Sequence, residues 1–129
     1  MDKINAQPVE TGIVFSKGSE IVRVEYALGD IRVFVRDINL SSEFVVHFAD
    51  VIGFRVLDER DLMEFWPECS TPNGWLFEIR SGGWLSQEAS RPGSCLVAMC
   101  PEAKEYFVNG ADDCLSVICH TAPEVHNAL

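Results

Sequence analysis

At 129 residues, with 47% hydrophobic and 23% charged positions, the chain has the composition of one folded domain and is long enough to bury a real core. Twenty Asp and Glu against ten Lys and Arg leave a formal charge of -10, which repels phosphate backbones and anionic bilayers and so argues against nucleic-acid and membrane partners. No charged segment followed by an apolar run opens the sequence, and no apolar stretch approaches the roughly 20 residues of a membrane span, so the five cysteines are expected to be reduced thiols of a cytoplasmic protein.

In chain order, residues 1–11 are polar, contain Pro8 and show no period, which predicts a flexible N-terminal tail. A single β-rich domain is expected over 12–121. Val22, Val24 and Tyr26 alternate with Arg23 and Glu25, the period-two pattern of a half-buried strand. Ile31, Val33 and Val35 repeat it after Gly29-Asp30, so a hairpin is expected there. Phe44, Val46 and Phe48 and then Ile52, Phe54 and Val56 continue the alternation, with a tight turn expected at Ala49-Asp50. Residues 58–66 change character: acidic residues come early and Leu62, Phe65 and Trp66 share a helical face, which predicts a two-turn helix ended by Pro67. Trp75, Phe77 and Ile79 lie before Ser81-Gly82-Gly83, and Trp84 to Glu88 follow, a pattern that reads as a hairpin. Cys95 to Met99 reads as a short buried strand. Residues 105–108 and 115–120 flank Asn109-Gly110 and read as a last hairpin, and 122–129 as a frayed C-terminal tail.

Frequent short strands separated by turn signals predict a mainly β fold: a single antiparallel β-sandwich or barrel-like meander of about 8–10 short strands with one short helix near residues 58–66. A jelly roll is the next choice, and no β–α alternation suggests a doubly wound sheet.

Chemistry-bearing motifs are sparse. Ser81-Gly82-Gly83 lacks the Lys-Ser or Lys-Thr of a phosphate loop, and no GxGxxG occurs. CxxC, HExxH and calcium-loop spacings are absent, so no cofactor or metal is expected. Cys114 and His120, six apart on one face of a strand, are the pair best spaced for zinc, but small buried hydrophobes are the commoner role of cysteine. Cys69 in a loop needs a base such as His47 or His120 to act as a nucleophile. Trp75 and Trp84 would face each other across the expected hairpin. Tyr26, Phe44, Phe48, Phe54, Trp75 and Phe77 would line the inside of a closed sheet. Phe34 between Arg32 and Arg36 gives one strand an Arg-Phe-Arg face.

The densest feature is acidic: Asp58, Glu59, Asp61, Glu64 and Glu68, with Trp66 among them. The expectation drawn from it is a non-catalytic acidic interaction module that binds a basic protein partner there, in the manner of an inhibitor or immunity protein. A small-molecule or carbohydrate-binding β-barrel or sandwich is the alternative, and an enzyme whose site assembles only in space is the second alternative.

Overall fold

The computed structural model describes residues 3–39 and 42–128. Among these residues nine strands form two antiparallel sheets: β1 Asn5–Pro8, β2 Ser19–Ala27, β3 Asp30–Asp37, β4 Glu43–Phe48, β5 Val51–Asp58, β6 Leu76–Ser81, β7 Lys104–Val108, β8 Asp113–Cys119 and β9 Glu124–Asn127. One sheet has the order β1-β6-β7-β8-β5 and the other β2-β3-β4-β9. They pack as a sandwich and not as a closed barrel, which settles the sequence alternatives toward the sandwich.

The main core lies between the sheets. Ile31, Val33 and Val35 of β3 and Val46 and Phe48 of β4 face Leu76, Tyr106, Val108, Leu115 and Val117. A second apolar cluster covers the opposite face of the five-stranded sheet, where Ile4, Phe77, Ile79 and Phe107 meet Leu62, Phe65 and Cys69 from the segment after β5. Sheet faces explain the sequence pattern. The strand β3 has one face in the core and one in solvent, so it alternates cleanly; β8 is covered on both faces, and Cys114 to Cys119 are all buried.

The hairpin expected between β2 and β3 is present. Leu28 and Gly29 at its tip both have positive φ, 46° and 87°, the geometry whose twist matches two paired strands. The last hairpin, β7 with β8, is also present.

Other expectations need correcting. Residues 5–8 are not part of a loose tail but an edge strand paired with β6, and Ile4 beside them is 4% exposed. Residues 124–127 likewise pair with β4 instead of fraying. Ala49-Asp50 is a crossover and not a hairpin turn, because β4 and β5 belong to different sheets; the Val51 N–H donates to the Gly29 carbonyl at 2.8 Å as the chain changes layer. The Trp75–Trp84 hairpin is absent: β6 ends at Ser81, and Trp84–Ala89 is a short helix, α2. (The one-turn helix α1 is Trp66–Cys69.) Cys95 to Met99 is not a strand either, since Leu96–Met99 forms the one-turn helix α3.

The helix expected over 58–66 is broken into pieces. The strand β5 runs to Asp58; tight three-residue turns follow at Glu59–Asp61 and Met63–Phe65, and α1 comes after them. Pro67 lies in the first turn of α1, where its missing N–H costs nothing, so it starts a helical turn instead of ending one. Among the described residues no helix is long and apolar enough to cross a membrane.

Candidate functional site

Residues 58–69 form a ridge over the outer face of the five-stranded sheet. Leu62, Phe65 and Cys69 point down into the second cluster, each no more than 2% exposed. The Phe65 ring stacks on Phe107 of β7 with centroids 4.4 Å apart and planes within 3°. With those three side chains buried, Asp61, Met63, Glu64 and Trp66 are left on the surface. Met63 is 61% and Trp66 44% exposed. The Trp66 indole N–H donates to the Glu59 carbonyl at 2.9 Å, which fixes the ring on the crest. The Ser70 hydroxyl donates to the Trp66 carbonyl behind it. A cavity of about 260 Å³ opens beside Trp66, with Glu59, Cys69 and Cys114 in its wall.

The six residues singled out in the sequence are thus brought onto one ridge in unequal roles. Asp61, Glu64 and Trp66 are exposed; Asp58, Glu59 and Glu68 are half-buried. The Asp58 carboxylate is engaged at home. It accepts from the Arg60 backbone N–H at 2.9 Å, closing the first turn, and from the Arg60 guanidinium Nε and Nη2 at 3.0 Å. Met63 escaped sequence reading because a regular helix gives it no special side; the tighter turns rotate it outward beside Trp66.

Beneath the ridge lies a polar centre that periodicity could not show. Glu105 of β7 is 1% exposed. Its carboxylate accepts the Trp84 N–H at 3.1 Å and the Leu85 N–H at 2.9 Å, so it caps the start of α2. Gly83 permits that approach: a Cβ there would lie 2.7 Å from both Glu105 Oε1 and Ile79 Cγ2. This packing is why the Gly-Gly segment opens a helix and not a hairpin. Arg55 of β5 sits with its guanidinium carbon 5.2 Å from the centre of the Trp84 ring. Burial lowers the Arg55 pKa, and the charges of Glu105, Glu64 and Glu88 raise it in turn. Those carboxylates come from the sheet, the ridge and α2, so one guanidinium joins three layers by charge; its Nε and Nη2 have no hydrogen-bond partner. A carboxylate inside the run Glu105-Tyr106-Phe107-Val108 was the one available signal of this centre.

Two carboxylates give opposite pH dependences. Hydrogen bonds from Arg60 hold Asp58 down at about 2, against an ordinary 3.8. Its stabilising contribution is complete above pH 3.8 and is lost as pH falls toward 2. Burial pushes Glu105 above its ordinary 4.5, against the pull of the Leu85 and Trp84 amides and of Arg55. The folded state therefore favours protonated Glu105, and stability falls as pH rises from 4.5 through the raised value. Urea midpoints measured across this range are expected to show both slopes. Asp58→Asn removes the acid one and Glu105→Gln the other; slopes untouched by these changes would assign the titration to other groups.

The remaining candidates are dispersed. Burial pushes the thiols of Cys69, Cys114 and Cys119 up to about 12, 11 and 11, which leaves them protonated at neutral pH. His47 lies on the outer face of the four-stranded sheet, 3.6 Å from Asp30, with the whole sandwich between it and Cys69. His120 follows the end of β8 opposite Cys114, so their shared strand face does not bring them together. Among the described residues no cluster of three or more His, Cys, Asp and Glu suits a metal ion. Trp75 is core, edge-on to Phe15 at 5.0 Å and donating to the Ile13 carbonyl at 3.1 Å, whereas Trp84 is half-buried under Arg55. Of the six aromatics expected inside the sheet, Tyr26 is 56% exposed and Phe77 belongs to the outer cluster. The Arg-Phe-Arg face is on the surface of the four-stranded sheet, with the Arg23 guanidinium 4.0 Å over the Phe34 ring. No protein-family model matches the chain, and neither the curated proteins nor the solved structures yield a match, so its function has to be argued from this geometry alone.

Proposed function

We propose that the protein is a non-catalytic interaction module whose ridge captures a basic protein partner. The observation that carries the reading is the exposed pair Met63 and Trp66 on a crest flanked by Glu59, Asp61, Glu64 and Glu68. Interface anchors combine an apolar or aromatic centre with a polar rim, and Trp is among the residues most enriched in them. The indole is already oriented by its bond to Glu59, so less side-chain freedom is lost on docking. Carboxylates around it draw in a positively charged surface and speed encounter, reinforced by the -10 charge of the whole chain. Neutralisation of a basic toxin or nuclease is the specific form of this role that the charge favours. A cytoplasmic setting belongs to the same proposal and is supported by five free cysteines.

The test compares three immobilised baits, wild type, Asp61→Lys/Glu64→Lys and Trp66→Ala, with captured proteins identified by mass spectrometry and their kinetics then measured with purified components. A basic protein held by the wild type is expected to associate at least about tenfold more slowly with the charge-reversed ridge and with a flatter salt dependence. With Trp66→Ala the change should appear in dissociation, at a cost of about 2 kcal/mol. Unchanged rates for both variants would move the contact surface off the ridge.

A further inference from the structure

The cavity of about 260 Å³ that opens beside Trp66 has a wall of two kinds. Its inner part is apolar, with Leu62, Phe65 and Phe107 and the buried thiols of Cys69 and Cys114. Glu59, Trp66, Thr71 and Asn109 border it nearer solvent. Bonds and charges tie these residues round one space. The Trp66 indole N–H donates to the Glu59 carbonyl at 2.9 Å, and the Cys114 thiol donates to the Asn109 side-chain carbonyl at 3.7 Å. The Cys114 thiol is raised by burial first and then by the charges of Glu59, Asp113 and Asp58; Cys69 is raised by burial and then by Glu68, Glu105 and Cys114. Carboxylates therefore hold the interior of the cavity at negative potential, and no Lys, Arg or His stands in its wall. Among the described residues the Glu59 carboxylate has no hydrogen-bond or ion-pair partner, since the neighbouring Arg60 guanidinium is engaged by Asp58.

We propose that this cavity receives one arginine side chain of the basic partner, with its guanidinium paired to the Glu59 carboxylate beside the Trp66 ring and its stem on the apolar wall. The inference rests on the ridge as the docking surface and adds the residue type that fills it. The wall selects its occupant by exclusion. An anion is repelled by Glu59, and a wholly apolar group would cover that carboxylate without giving it a partner, which costs more than the burial returns. What fits is a cation on an apolar stem, the form of Lys and Arg. Between the two, the aromatic ring and the half-closed space favour Arg. A guanidinium is planar, stacks on indole and is more weakly hydrated than an ammonium, so it loses less water on entry. Its fork gives a carboxylate two parallel N–H bonds, and its remaining donors suit the Thr71 hydroxyl and the Asn109 carbonyl in the same wall. The indole is fixed before the partner arrives, so the slot is formed in the free protein.

The test titrates the full-length chain with n-butylguanidinium, n-butylammonium and n-butanol, three probes with one stem, and follows amide and indole N–H resonances by NMR. Expected are saturable millimolar binding of butylguanidinium with shifts centred on Glu59, Trp66, Cys69 and Cys114, weaker binding of butylammonium and none of butanol. Glu59→Gln should weaken butylguanidinium by at least about tenfold with an unchanged urea midpoint, since its carboxylate carries no internal bond. Glu68→Gln, the same charge change outside the wall, should alter it by less than about twofold. Saturating butylguanidinium should also compete with the captured partner. Absence of saturable shifts, or equal affinity in Glu59→Gln, would overturn the inference and leave the ridge reading standing on its own kinetics, which are read from Asp61, Glu64 and Trp66. Binding that fails to compete with the partner would overturn it too, and would assign the cavity to a free guanidinium compound.

Discussion

Glu105→Ala is expected to destabilise the protein by about 3 kcal/mol, more than any surface change on the ridge. Two amide donors at the start of α2 lose a charged acceptor at 2.9 and 3.1 Å, and each such bond contributes roughly 1.5 kcal/mol or more. Arg55 loses the opposite charge that most offsets its burial. Alanine also leaves space against Gly83 and Ile79 where the carboxylate now packs. Glu105→Gln keeps the shape and one carbonyl acceptor, and should recover part of the loss. Equilibrium urea unfolding of the three proteins measures this. A loss below about 1 kcal/mol for the alanine variant would mean that the carboxylate carries no more than an average side chain does.

Phe65→Ala should cost about 3–5 kcal/mol, the range for truncating a buried aromatic ring. Phe65 is 1% exposed and lies flat on Phe107, so the cavity left behind has a rigid floor and closes poorly. The loss should also be localised. The ridge is held to the sheet by Leu62, Phe65 and Cys69, with only short turns of its own, so it has little stability apart from them. Amide hydrogen exchange over residues 59–70 is expected to accelerate much more than exchange in β3 and β4. Uniform acceleration would instead make ridge and sandwich a single cooperative unit.

These two residues mark the boundary of what the sequence discloses. The strand β3 and its hairpin to β2 were legible, because one face meets solvent and the period of two survives. The region from 58 to 69 was legible as acidic and partly helical but not in its geometry, since the signals for a helix and for successive tight turns differ by a fraction of a residue per turn. Trp84 was misread outright. Gly82-Gly83 suits a hairpin by local rules, and only Glu105, 21 positions away, converts it to a helix start. Both terminal strands were missed because a four-residue edge strand carries too few residues for a period to be counted, and its partner lies far along the chain. The ridge residues were found as a group because charge density needs no geometry; Met63 and Arg55 were not, because their roles exist only once the layers meet.

The contact between Gly83 and Glu105 also ties two distant positions of the chain to one another. A side chain at position 83 would strike the carboxylate, and loss of the carboxylate would strip α2 of its cap. Two positions more than twenty residues apart thus act as one fitting, and the loss from changing both is expected to fall short of the sum of the two single losses.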